Sequence, residues 1–155
     1  MLTSLAAALL FSQATAPAAP QPMPTGEAME QAIADNDSRL FWGFFEGCNP
    51  DAIADLVHPD FRMLHDLGGM PLSSGAQMIE QSLERCADRA PGGKNEGYRN
   101  RRLLVPGLRR IQKLGDWGVL EEGYHTFHEW RGALNNGSGG WEMTGRGRYI
   151  HSWQW

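Results

Sequence analysis

The sequence predicts one α+β domain, with helices filling the concave side of a curved antiparallel sheet. Three observations lead there. Apolar residues recur at helical spacing between Glu27 and Cys86. From Tyr98 onward they alternate with polar ones at period two. The alternating runs are broken by Pro106-Gly107, Gly115-Asp116 and Asn136-Gly137, each a turn signal. With 155 residues, 41% of them hydrophobic and 21% charged, the chain is large enough to bury a real core.

Thr25 is placed to cap a first helix over residues 27–46, with Glu27 and Glu30 in its first turn and Gly47 past its end. Met29, Ile33, Leu40, Phe41, Phe44 and Phe45 form its apolar stripe. Asn49 and Pro50 open a second helix as N-cap and first residue. Ile53, Leu56 and Val57 carry it, and Pro59 stops it. His58 falls at its end, within reach of the last carbonyls. A strand leaves from Pro59 and stops at His65-Asp66-Leu67-Gly68-Gly69.

Ser73 or Ser74 caps a third helix with Met78, Ile79, Leu83 and Cys86 on one face, and Pro91-Gly92-Gly93 ends it. Tyr98 to Leu114 reads as strand, bent at Pro106-Gly107 because a proline cannot donate to a central ladder. Trp117 to Trp130 returns, Asn135 to Gly140 is a hairpin loop, and Trp141 to Trp155 is the last strand present.

Residues 1–24 read as a signal peptide and Pro/Ala-rich linker, and residues 25–155 as the domain. Leu5 to Phe11 is an apolar stretch too short to span a bilayer, and Ala14-Thr15-Ala16 is a small-residue cleavage site. This predicts export to the periplasm or out of the cell, with no membrane insertion once the leader is removed. Cys48 and Cys86 fit that compartment as a disulfide; as two small buried thiols they fit any other.

A net charge of −4 and a pI near 5.7 argue against a nucleic-acid partner. Arg99, Arg101, Arg102, Arg109, Arg110 and Lys113 cluster, but with Tyr98 as their single aromatic companion they read as a solvated rim. The sequence contains no CxxC pair, phosphate loop or nucleophile elbow, so no cofactor and no metal is expected.

Several segments, in order, resemble the nuclear transport factor 2-like superfamily, which includes ketosteroid isomerases, scytalone dehydratase and SnoaL-like cyclases. They are Phe41-Trp42-Gly43-Phe44-Phe45, Asn49-Pro50-Asp51-Ala52-Ile53, Asp60-Phe61, His65-Asp66-Leu67-Gly68-Gly69, Gly123-Tyr124-His125-Thr126-Phe127 and Tyr149-Ile150-His151-Ser152-Trp153. The resemblance runs from about Glu27 to Trp155 and implies a cone-shaped domain that often dimerises. Members continue past the Trp153 position with a turn and one more strand, so the chain is expected to be a fragment lacking its final strand.

Alternation groups Phe61, Met63 and His65 on one strand face, Gly123, His125 and Phe127 on another, and Tyr149, His151 and Trp153 on a third. All three faces carry aromatic residues. Facing inward together, they would line one pocket with His65, His125 and His151, while His128 would face the opposite side. Resemblance to the isomerases places their base at His65 if aligned from Asp60-Phe61, and at Asp66 if aligned from the glycine turn. The isomerases' oxyanion tyrosine falls near Trp42, which carries no phenol, so that particular activity is not implied.

One of Arg101 and Arg102 must point inward and needs an anionic partner such as Asp66, Glu121 or a ligand carboxylate. Arg101 is the inward choice, and Trp42 and Trp153 complete the pocket wall. The leading expectation is an exported domain binding a small hydrophobic molecule. One alternative is an isomerase, dehydratase or cyclase using His65 or Asp66 as general acid or base. Another is a non-catalytic module that forms a homodimer.

Overall fold

A computed structural model of the chain describes residues 21–133 and 139–155. The predicted leader as far as Pro20, and residues 134–138 of the predicted hairpin loop, lie outside the described residues.

Helix α1 spans Glu27–Phe44 and starts from Gly26 at φ 59° rather than from a Thr25 cap. A four-residue repeat places Met29, Ile33 and Asp37 on its buried side. The predicted second helix forms as two 3₁₀ turns, Pro50–Ala52 and Ala54–Leu56, closed by i→i+3 bonds such as Ile53 N–H to Pro50 O at 3.1 Å. The stretch between Pro50 and Pro59 is too short for α-helical bonding to propagate, so the tighter pattern wins. Asn49 caps it as predicted, accepting from the Ala52 N–H at 3.3 Å. His58 does not reach a carbonyl; its Nδ1 accepts the Asp60 N–H at 3.1 Å. Gly43 is obligatory where α1 meets these turns, because a Cβ there would come within 2.5 Å of Ile53 Cγ2.

Strands β1 (Met63–His65) and β2 (Gly69–Leu72) form a hairpin that is its own two-stranded sheet. Helix α2 (Gly75–Arg89) follows, with the Ser74 side chain accepting from the Gln77 N–H at 3.2 Å. Its buried residues are Gly75, Met78 and Ser82, whereas Leu83, predicted inward, is half exposed. Cys86 on α2 is disulfide-bonded to Cys48 beyond α1, closing a separation of 38 residues.

The main sheet contains β3 (Asn100–Leu104), β4 (Arg110–Leu114), β5 (Gly118–Ala133) and β6 (Gly139–Gln154). Pro106-Gly107 breaks the chain between β3 and β4, so that each pairs with a different half of the long β5, while β6 runs along its other edge. All pairings are antiparallel, and register shifts near Phe127/His128 and Trp130/Ala133 mark bulges that curve the sheet. The helices lie on its concave side. A small apolar core of Met29, Ile33 and Val119, flanked by Met23, Ile111 and Trp153, closes one end. No helix of the described residues is long and apolar enough to cross a membrane.

Candidate functional site

Residues directly opposite in an antiparallel pair share a face. Val119 opposes Trp153, Glu121 opposes His151, Gly123 opposes Tyr149 and Phe127 opposes Arg102, and this set faces α1. Gly123 makes room for its neighbour, since a Cβ there would lie 2.9 Å from the Tyr149 hydroxyl.

The centre is ionic. Arg102 donates from Nη1 to Asp37 Oδ2 at 2.6 Å, with both side chains 2% exposed. The same guanidinium donates from Nε to His125 Nδ1 at 3.0 Å and lies against the Phe41 and Tyr149 rings, 3.6 and 4.5 Å from their centroids. Glu121 is fully buried. Its Oε1 accepts from Arg109 Nε at 2.9 Å and from the Tyr149 hydroxyl at 3.0 Å, and its Oε2 accepts from Trp153 Nε1 at 2.8 Å. His151 Nδ1 sits 3.5 Å from Asp37 Oδ1 and 3.5 Å from Glu121 Oε2. Neither contact is a formed hydrogen bond, and His151 Nδ1 and Asp37 Oδ1 are both buried without a partner.

These neighbours pull the two histidines apart. Burial pushes His125 down to about 4, and the positive Arg102 and His151 add to the effect, so its ring is neutral and accepts from Arg102. Burial also works against charge on His151, but Asp37 and Glu121 beside it outweigh that and hold it above its usual value. Burial would raise the Asp37 carboxyl; His151 and Arg102 overcome this and lower it. Glu121 is lowered the same way by His151, Trp153 and Arg109 against burial. Tyr149 is pushed up to about 12 by burial and by Glu121, and stays a phenol.

Aromatic rings run along the open side of this cluster. Phe45 meets Phe127 at 5.6 Å between centroids, Phe127 meets His125 at 4.6 Å, His125 meets Tyr149 at 5.0 Å and Tyr149 meets His151 at 4.5 Å. Phe45, Phe127 and His125 are partly accessible, Tyr149 is buried, and the His151 side chain is 25% exposed. At the Phe45 end lies a recess of about 240 Å³ between Phe45, Cys48, Arg89, Tyr98 and Arg99. The arrangement offers a row of mutually tilted rings that ends at the His151 imidazole.

No family model matches the chain, and no curated protein matches it. Among solved structures it is similar to Aln2 from a Streptomyces species, at a TM-score of 0.56 and 12% identity over 83% of this chain and 80% of that one. It is also similar to a Catenulispora acidiphila protein in complex with S-DNPA, at a TM-score of 0.54 and 15% identity over 82% and 95%. The fold is nuclear transport factor 2-like.

Within the nuclear transport factor 2-like cone, His125, Phe127, His151 and Trp153 share the concave face. The expected convergence of three histidines is corrected, because His65 belongs to the separate hairpin. There its side chain is 46% exposed and Asp66 is 88% exposed. A register shift between Met63 and His65 interrupts the alternation that placed His65 inward. His65 Nδ1 instead accepts the Leu67 and Gly68 N–H groups at 3.1 and 3.2 Å, tying the turn.

Arg101 is also corrected. Arg102 points inward, opposite Phe127, while the Arg101 guanidinium lies 4.2 Å from the Trp141 ring centroid. The arginine cluster is therefore not simply a solvated rim, since Arg102 and Arg109 hold buried carboxylates. Trp42 is half exposed and packs over Gly47, off the ring row. His128 faces away from His125 and contacts Thr126 Oγ1 at 3.0 Å.

Sequence reasoning missed Asp37 as a site residue altogether, and named Glu121 merely as one option for a partner. Asp37 falls at i+4 from Ile33 and i−4 from Phe41, inside the apolar stripe, and Glu121 alternates with Val119 and Gly123. A carboxylate at an apolar position of a regular pattern was the available signal.

Proposed function

We infer that the chain is a small-molecule-binding domain whose ligand lies on the ring row from Phe45 to His151. The observation that carries this reading is the pairing of that row with an ionic floor in which Asp37, Arg102 and Glu121 are buried. An ionic cluster this buried costs desolvation and is weak evidence for stability, so its presence beside partly accessible aromatic rings favours a binding role. A largely apolar molecule with one acceptor or acidic group matches the rings and the His151 imidazole. The Catenulispora acidiphila neighbour, solved in complex with S-DNPA, lends support from the same fold. Native mass spectrometry of the protein purified from its host, followed by titration of the recovered ligand, tests it. A stoichiometric adduct whose affinity falls several-fold in Phe127→Ala supports the reading. A ligand-free protein that binds no member of a panel of aromatic acids and ketones overturns it.

A second reading, an enzyme of isomerase, dehydratase or cyclase type, is favoured by one feature. His151, held between two carboxylates and raised above its usual value, is placed to give or take a proton at the row. The residues first named for that role, His65 and Asp66, lie off the row. A third, a homodimerising module, is favoured by Tyr124 and Ile150, 46% and 58% exposed on the outer face of the sheet. Sedimentation at increasing concentration separates it from a monomeric binder. Export belongs to the leading reading: the Cys48–Cys86 disulfide supports an oxidising compartment. Intact-mass measurement of the secreted product, expected to lack its first residues, tests that.

A further inference from the structure

We propose that Asp37 Oδ1, Glu121 Oε2 and His151 Nδ1 together form a binding site for a divalent first-row transition metal ion. Three facts point there independently of the ring row and its ligand. His151 Nδ1 is 3.5 Å from each oxygen, and all three atoms lie within 4.8 Å of one another. A point equidistant from atoms so spaced is roughly 2.0–2.4 Å from each, which spans the bond lengths of zinc to imidazole and carboxylate. Asp37 Oδ1 and His151 Nδ1 are buried without a hydrogen-bond partner, although the Asp37 side chain is 2% exposed.

An orphaned acceptor and an orphaned ring nitrogen facing each other leave an unmet desolvation cost. A proton on Nδ1 relieves it poorly, because it would have to point between two oxygens at hydrogen-bond limit. A cation at the common centre satisfies both orphaned atoms at once and takes the remaining lone pair of Glu121 Oε2, which already accepts from Trp153 Nε1 at 2.8 Å. The opposite edges of the carboxylates are already fixed. Arg102 holds Asp37 Oδ2, while Arg109 and Tyr149 hold Glu121 Oε1. Outer partners of this kind orient metal ligands. One imidazole with two carboxylates suits zinc, cobalt, manganese or iron(II) better than calcium or magnesium, which favour all-oxygen sets. The two guanidinium groups repel a dication and set its affinity below that of an all-anionic site.

The test uses the full, tag-free chain stripped with EDTA and titrated with Zn²⁺ and Co²⁺. One equivalent per chain is expected by calorimetry, and Co²⁺ should develop visible d–d absorption. His151→Gln should weaken Zn²⁺ by at least roughly 100-fold, with His128→Gln unchanged. Since substitutions in the cluster can unfold the protein, the wild type supplies a second readout. On adding Zn²⁺, the histidine ¹⁵N resonances should shift at His151 and not at His65 or His128. Absence of stoichiometric binding overturns the proposal. So does full affinity in a folded His151→Gln variant, or a Zn²⁺ response confined to the other histidines.

Discussion

Arg102 on β3 and Asp37 on α1 join across 65 residues in an ion pair 2.6 Å long, with both side chains 2% exposed. It fastens the helix to the sheet through a contact that neither partner can replace with water. Removing one member of a buried pair leaves the other charge uncompensated, at about 3–5 kcal/mol. Asp37→Ala is therefore expected to lower unfolding free energy in urea by that amount. Arg101→Ala, which loses a stack on Trp141, should cost about 1 kcal/mol or less. Equal losses in the two variants would mean the pair contributes nothing special.

The two site histidines give opposite pH limbs. Unfolded His125 takes a proton near 6.5, while in the fold it refuses one until about 4, so acidification across that window favours unfolding, by at most about 3 kcal/mol. His151 is raised in the fold, so its contribution is complete below its unfolded value and lost as pH rises through the folded one. Asp37 and Glu121 are lowered, and their contribution disappears only at still lower pH. Melting temperature should peak near neutrality. His125→Gln, which retains an acceptor for Arg102, should flatten the limb between pH 6.5 and 4 if its titration causes it.

Reducing the Cys48–Cys86 disulfide releases a closure of 38 residues. In the chain-entropy model this costs about 4 kcal/mol, acting mainly through the unfolded ensemble. Denaturation with and without reductant should show that gap, and Cys48→Ala with Cys86→Ala should reproduce it without reductant. Coincident curves would show that the bridge leaves the unfolded chain unconstrained.

His65→Ala removes a ring that accepts two turn amides in the separate β1–β2 hairpin. The expected loss is about 1 kcal/mol of stability, with the affinity of any ligand recovered from the host unchanged. A drop in affinity without a drop in melting temperature would return the His65 hairpin to the site.

Period and punctuation in the sequence determined the class of this domain. Met29 and Ile33 fix the buried side of α1, Asn49 and Ser74 are caps, and Pro106-Gly107 divides β3 from β4. Alternation also grouped His125 with Phe127 and His151 with Trp153 correctly, because a strand's side-chain period does not depend on its partners. It could not say which arginine shares their face. That choice needs the β3–β5 register, which opposes Arg102 to Phe127, and a one-residue slip would have turned Arg101 inward instead. For His65, a register shift in a three-residue strand overrode the pattern. The meeting of Asp37, Glu121 and His151 is tertiary altogether. Each sits on a regular face of its own element, but only the docking of α1 on the β5–β6 pair brings a helix carboxylate within 3.5 Å of a strand histidine.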